Sequence, residues 1–358
     1  MNLEEFLPPA LDLLAIRSTA DRPADLHRAL DLVLDLVGPG FTVERFDSGG
    51  KPSALLHAGE RRPFRVLLNA HLDVVPGADA QFTPRREGDR LYARGAQDMK
   101  LSALVLARVF RELGRDLPIA LQLVTDEEVG GYHGTGHQLD RGVTADFVVI
   151  GEHSALRVVH ESRGMVTARL HATGLAAHSA YPWLGDNALL KVTRAVDAVV
   201  RRYPVPAEEA WRTTVNVARI GTANEALNQV PADAEAWLDV RFPAGDTDFD
   251  GRSPEQVAAH LAAVSGVEVE VARVEPPHRA DPANPDVVAL QEAARAQGFS
   301  GELLRKHGAA DSRFYYGRGI DAVIFGVGGD GQHGPDEHAD LTTVVPYHRA
   351  LTGFLSRL

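Results

Sequence analysis

The sequence predicts an α/β fold: a mostly parallel sheet with helices on both faces, interrupted by an inserted α+β domain of ferredoxin-like order. Three observations lead there. Short continuous apolar runs at 66–70, 119–124 and 147–150 read as strands buried on both faces. Helical spacing surrounds them. From about Val158 the pattern changes to strict alternation, and past Pro285 the first texture returns.

The elements justify this in order. Leu3, Phe6, Leu7, Leu11 and Leu14 recur at helical spacing over 3–16. Leu26, Leu30, Val33, Leu34 and Val37 do the same over 25–37, with Gly38 as a stop. The runs Val66-Leu67-Leu68-Asn69-Ala70 and Ile119-Ala120-Leu121-Gln122-Leu123-Val124 flank a helix over 102–113, and Phe147-Val148-Val149-Ile150 follows. Met165 to His171 and Ala234 to Arg241 alternate, as half-exposed antiparallel strands do. Helices over 187–202 and 253–263 separate such strands, which gives strand-helix-strand-strand-helix-strand. Residues 273–285, rich in Pro, Asp and Ala, read as a linker. A helix over 286–297, a buried strand 322–325 and a last helix 344–355 complete the chain. The expected domains are 1–157 with 275–358, and an inserted 158–274.

Composition narrows the function. Of 358 residues, 44% are hydrophobic and 24% charged, which excludes a disordered or fibrous chain. With 37 basic against 49 acidic residues the formal charge is −12, so nucleic acid is not an expected partner. Pairs such as Arg61–Arg62 and Arg201–Arg202 are too small to form a basic patch. No run reaches the roughly 20 apolar residues that span a bilayer. The acidic start, Met-Asn-Leu-Glu-Glu, lacks the pattern of a signal peptide, so a cytoplasmic location without membrane contact is expected. There are no cysteines and 15 histidines, so any metal must be held by His, Asp and Glu.

Five short motifs carry candidate chemistry. His71-Leu72-Asp73 follows the run 66–70 directly, and at period two both side chains point to one side. That suits a metal-binding imidazole oriented by a carboxylate, although His-x-Asp alone is common. Asp98-Met99-Lys100 sits where a helix begins, where an N-cap aspartate is the plain alternative. Glu127-Glu128 follows the run 119–124; two adjacent carboxylates are either solvated or face a cation. Gly151-Glu152 and His333-Gly334-Pro335-Asp336-Glu337 follow two further strands, and each alone reads as a surface turn or loop. Together they are informative, because ligands bind at the carboxyl ends of strands in open α/β sheets. Two imidazoles and three carboxylates suit Zn²⁺ or a similar divalent ion, and they suffice for two ions if one carboxylate bridges. Gly326-Val327-Gly328-Gly329-Asp330-Gly331 matches a dinucleotide fingerprint in letters, but no helix pattern follows it.

In order, these motifs, with Arg94-Gly95-Ala96 before Asp98, resemble those of the co-catalytic zinc metallopeptidase family. That family contains acetylornithine deacetylase, succinyl-diaminopimelate desuccinylase, aminoacylase and glutamate carboxypeptidase. The likeness runs from about residue 65 to 340. It implies two divalent ions, Zn²⁺ first with Co²⁺ or Mn²⁺ as alternatives. Asp98 would bridge them, His71 and Glu152 would complete one, and Glu128 and His333 the other. Glu127 would be the general base and Asp73 would support His71. His178, in Gly174-Leu175-Ala176-Ala177-His178, would stabilise the oxyanion. Asn228, Arg241, Gly308, Asp311 and Arg313 would hold substrate. The inserted domain would act as a lid and dimerise the chain. The implied activity is hydrolysis of the amide bond of a small N-acyl amino acid. Within the class the alternative is a di- or carboxypeptidase, and outside it a silent binding or regulatory relative. The chain departs from the family pattern at Leu101-Ser102, at His153 where proline is common, and in Ala309-Ala310-Asp311-Ser312-Arg313.

Overall fold

A computed structural model describes residues 1–59 and 63–358; Arg61 and Arg62 lie outside the described residues. The chain divides into two units, the first being 1–160, 279–305 and 310–358, and the second 161–278 with 306–309. These divisions fall a few residues beyond the expected 157/158 and 274/275, for a reason given by one strand. Val158–Ser162, expected to open the insertion, pairs instead with Asp321–Ile324 in the large sheet.

The large sheet has four parallel strands at its centre: Ile119–Val124, Phe64–His71, Ala145–Ile150 and Asp321–Ile324. Antiparallel strands flank them, including the hairpin Thr42–Ser48 and Lys51–His57. The continuous apolar runs have the cause expected of them. Val66, Leu68, Phe147, Val149 and Val323 face one cluster with the helices Leu3–Leu14, Pro23–Val37, Leu101–Leu113, Pro285–Arg295 and Val344–Leu355. Leu67, Val148, Ala322 and Ile324 face a second cluster with Leu139 and Tyr315. Both faces are therefore dry, and alternation disappears from the sequence. A separate four-stranded sheet joins Gly328–Asp330, His338–Asp340, Arg90–Tyr92 and Arg85–Glu87. Gly328–Asp330 is thus a strand, and no helix follows the glycine-rich motif.

The second unit has the order Thr214–Gly221, Asp233–Phe242, Gly164–Thr173, Glu268–Glu275, antiparallel throughout. With the helices Ala188–Arg202 and Pro254–Ser265 this is the ferredoxin-like arrangement. Val166, Ala168, Leu170 and Leu238 pack with Val192, Val199, Val257 and Leu261. The intervening residues of the same strands stay half-exposed, as where Arg169 pairs with Glu235 at 2.6 Å. The stretch read as a linker is shorter than expected: it holds the end of Glu268–Glu275 and the two-residue strand His278–Arg279.

Candidate metal centre

Parallel register brings the motifs together. His71 stands opposite Val124, and Asn69 opposite both Gln122 and Ile150, so the strand ends carrying His71, Glu127-Glu128 and Glu152 lie side by side. Asp98 comes from a different direction. It lies ahead of the helix Leu101–Leu113, whose N-cap position is Lys100, so Asp98 is not the helix cap that its place in the sequence allows. Two glycines permit the approach. Gly95 has φ +81°, and a Cβ on Gly151 would come within 2.8 Å of Met99 and Leu106. Buried Lys100 anchors this loop by donating to the carbonyls of Leu13 (3.1 Å) and Ile16 (2.7 Å) at the end of the first helix. Burial pushes its amine down to about 7.

Ligand-capable atoms of His71, Asp98 and Glu128 lie within 4.8 Å of one another, as do those of His71, Glu127 and Glu152. His71 Nε2 is 3.0 Å from Asp98 Oδ1. His333 Nε2 lies 3.4 Å from Asp98 Oδ2 and 3.2 Å from Glu128 Oε1. All five expected ligands thus cluster in the first unit. His71 Nδ1 donates to the backbone oxygen of Asp73 at 3.1 Å, which leaves Nε2 for the centre. The Asp73 carboxylate lies farther from Nδ1, at 3.6 Å, and accepts instead from the amides of Glu127 (3.3 Å) and Glu128 (3.0 Å). Asp73 therefore orders both the imidazole and the glutamate turn.

The charges show what this donor set fits. Burial opposes a charge on His71, yet the hydrogen-bonded Asp98, with Asp73 and Glu127 nearby, holds it well above the usual histidine range. Burial also opposes ionisation of Asp98, but its contacts with His333 and His71 keep it well below the usual carboxylate range. Burial first, then the neighbouring Glu152, raises Glu127 well above. Carboxylates so crowded that they protonate two imidazoles suit a cation. Nitrogen and oxygen donors without thiols suit Zn²⁺ and similar ions.

A pH effect follows for the metal-stripped protein. Hydrogen bonds to Asp98 and Glu128 push His333 up from 6.5 to about 10. A raised histidine stabilises fully below its unfolded value and loses that contribution as pH climbs through the folded one. Thermal melts in chelator should therefore fall between about pH 7 and 10, and His333→Gln should flatten the fall. Parallel curves for the two proteins would contradict the assignment.

The expected substrate residues are distributed differently. Arg313 is buried and donates to the carbonyls of Ala310 (2.7 Å) and Gly130 (2.8 Å), bracing the loop after Glu127 and Glu128. Asp311 is buried as well and accepts from Thr135. In the second unit, His178 and Asn228 sit on adjoining exposed loops, joined by a bond from Ser179 N to Asn228 O of 2.9 Å. Arg241 grips Asp239 at 2.7 and 3.0 Å and lines a cleft of about 460 Å³. Arg163 lines the same cleft and donates to Thr214 Oγ1 at 2.9 Å. Gly308 has open space where a Cβ would stand, beside cleft-lining His307.

Sequence reasoning missed three polar groups of the first unit. Gln332 donates to Asp98 Oδ2. Arg94 pairs with Glu337 beneath the centre. Asn69, Gln122, Thr135 and Tyr315 form a buried network under the strand ends. The one available signal was Asn69 and Gln122 standing in otherwise apolar strands.

Residues 67–357 match the profile of Peptidase family M20/M25/M40. The chain is 28% identical over 381 residues to a succinyl-diaminopimelate desuccinylase of Acidiphilium cryptum, covering 100% of this chain and 98% of the relative. It is 38% identical over 205 residues to a probable carboxypeptidase of Aspergillus terreus, covering 51% of this chain and 46% of that protein. In fold it is similar to a tripeptidase from Staphylococcus aureus, with TM-score 0.78 and 19% identity over 100% of this chain and 98% of the other.

Proposed function

The chain belongs to Peptidase family M20/M25/M40 and is a metal-dependent hydrolase of amide bonds; from that premise we propose that it deacylates a small N-acyl amino acid with two bound Zn²⁺ ions. The observation that carries this is the double cluster at the strand ends, His71, Asp98 and Glu128 beside His71, Glu127 and Glu152. The desuccinylase likeness over the whole chain supports the acyl substrate.

His71, Asp98, Glu128, Glu152 and His333 would hold the ions, with Asp98 between them. When bound, two such ions polarise a carbonyl and acidify a water. Glu127 takes the water proton and passes it to the leaving amine as the C–N bond breaks. Its raised affinity for a proton suits a group that both accepts and returns one. Asp73 holds the Glu127 turn in place through two backbone amides. His178 supplies the oxyanion donor in this reading, where one donor is worth about 2.7–4 kcal/mol. Arg241 and Asn228 bind the substrate carboxylate, for which a guanidinium fork is well matched. The protein would work in the cytoplasm as a homodimer joined through the second unit. Among the described residues no helix is long and apolar enough to cross a membrane.

A second reading, a carboxypeptidase or dipeptidase, is favoured by the 38% identity over half the chain. A panel of N-succinyl and N-acetyl amino acids and dipeptides separates the two. The first reading expects turnover of an N-acyl amino acid that chelator stops and Zn²⁺ restores. Turnover of dipeptides alone would transfer the assignment to the second reading, and none with metal loaded would remove both.

A further inference from the structure

Arg94 and Glu337 stand 243 residues apart in the chain and meet in the first unit, both almost fully buried at 3% and 2% exposure. A buried pair is costly to assemble, so what else its atoms touch is informative. One carboxylate oxygen, Glu337 Oε2, takes Arg94 Nη1 at 2.5 Å. The other, Oε1, accepts the amides of Gln97 (3.1 Å) and Asp98 (3.2 Å). Arg94 Nη2 reaches the carbonyls of His333 and Gly334, each at 3.2 Å. The pair thus grips the backbone of Asp98 at one end and that of His333 at the other.

The local fold explains both the meeting and the need for it. His338 stands opposite Tyr92 in the small sheet, and Ala93 N donates to Glu337 O at 3.2 Å, so 337 arrives beside the start of the Asp98 loop. His333 itself has φ +59°, a left-handed conformation that a residue with a Cβ rarely takes. Its side chain is about half exposed and meets Asp98 and Glu128 through Nε2 alone. Those contacts leave its backbone to be held separately, and Arg94 holds it through the carbonyl.

We propose that Arg94 and Glu337 are positioning residues: a buried clasp that fixes His333 against Asp98 and so sets the ion site that His333 shares with Glu128. The proposal rests on the reading of this cluster as a metal centre. A guanidinium is required because one planar fork must serve a carboxylate and two carbonyls together. A lysine ammonium keeps the charge but has no fixed fork.

Metal-stripped protein titrated with Co²⁺, followed by visible absorption, tests this. Wild type should take up two ions. Arg94→Lys should keep the first ion near its wild-type affinity and bind the second at least about tenfold more weakly, as loss of an outer contact to a ligand does. Its kcat should fall at limiting metal and recover with excess metal, with substrate KM little changed. A merely structural role would lower the melting temperature without separating the two affinities. Should Arg94→Lys not fold, Glu337→Gln carries the same expectation, because it keeps an oxygen for the Asp98 amide but loses the ionic hold on Arg94. A folded variant that binds both ions as wild type does overturns the clasp alone. Wild-type protein that binds no ion overturns the metal-centre reading and the clasp with it.

Discussion

Replacing Glu127 with Ala is expected to remove turnover while the purified protein keeps its metal. Glu127 and Glu128 are neighbours in sequence, yet they fall into different donor groups, Glu128 with Asp98 and Glu127 with Glu152. Without metal, burial first and Glu152 second raise the affinity of Glu127 for a proton; the burial remains when the ions are bound, as suits a carrier of the reaction's proton. A positioned acid–base group of this kind contributes about 10²–10⁴-fold, so the variant should lose at least ~100-fold in kcat. Glu128→Ala should instead lower the metal content itself. Metal analysis beside a rate measurement reads both. Equal loss of metal from the two variants would end the division of labour, and normal turnover in Glu127→Ala would end the mechanism.

The second large effect belongs to Asp98. Its two oxygens face His71 at 3.0 Å and His333 at 3.4 Å, so each imidazole contacts a different oxygen of this carboxylate. Asp98→Ala should therefore lower the affinity for both ions, by more than the ~10–100-fold that loss of an outer contact costs. Activity should disappear with them. In the metal-stripped variant, burial would act on His71 with less opposition, and its pKa should fall toward or below the usual histidine value. Histidine NMR across pH gives that fall directly. Retention of one ion at wild-type affinity would show that Asp98 serves one ion and does not bridge.

Much of this was legible in the sequence because the responsible forces are local. Burial of both faces gives continuous apolar runs, and burial of one face gives alternation, so the two sheets could be told apart. Three of the five motifs were legible because they stand at the ends of parallel strands, which gather them; His333 lies instead in the connection between Gly328–Asp330 and His338–Asp340 of the small antiparallel sheet. Val158–Ser162 was not legible: Val-Val-His-Glu-Ser is fully buried yet half polar, so neither pattern marks it. His278–Arg279 is too short to have a period. The Arg94–Glu337 pair forms only when the small sheet brings 337 beside 93, and no local signal predicts that. Arg313, in a stretch that resembles a substrate loop, is occupied by two backbone carbonyls that only folding supplies.

Anomalous diffraction at the zinc edge, on crystals grown with Zn²⁺, tests the central claim most directly. Two peaks about 3.5–4 Å apart, with Asp98 between them, His71 and Glu152 on one, and Glu128 and His333 on the other, are expected. A single peak away from Asp98, or no peak in protein that hydrolyses its substrate, would contradict it.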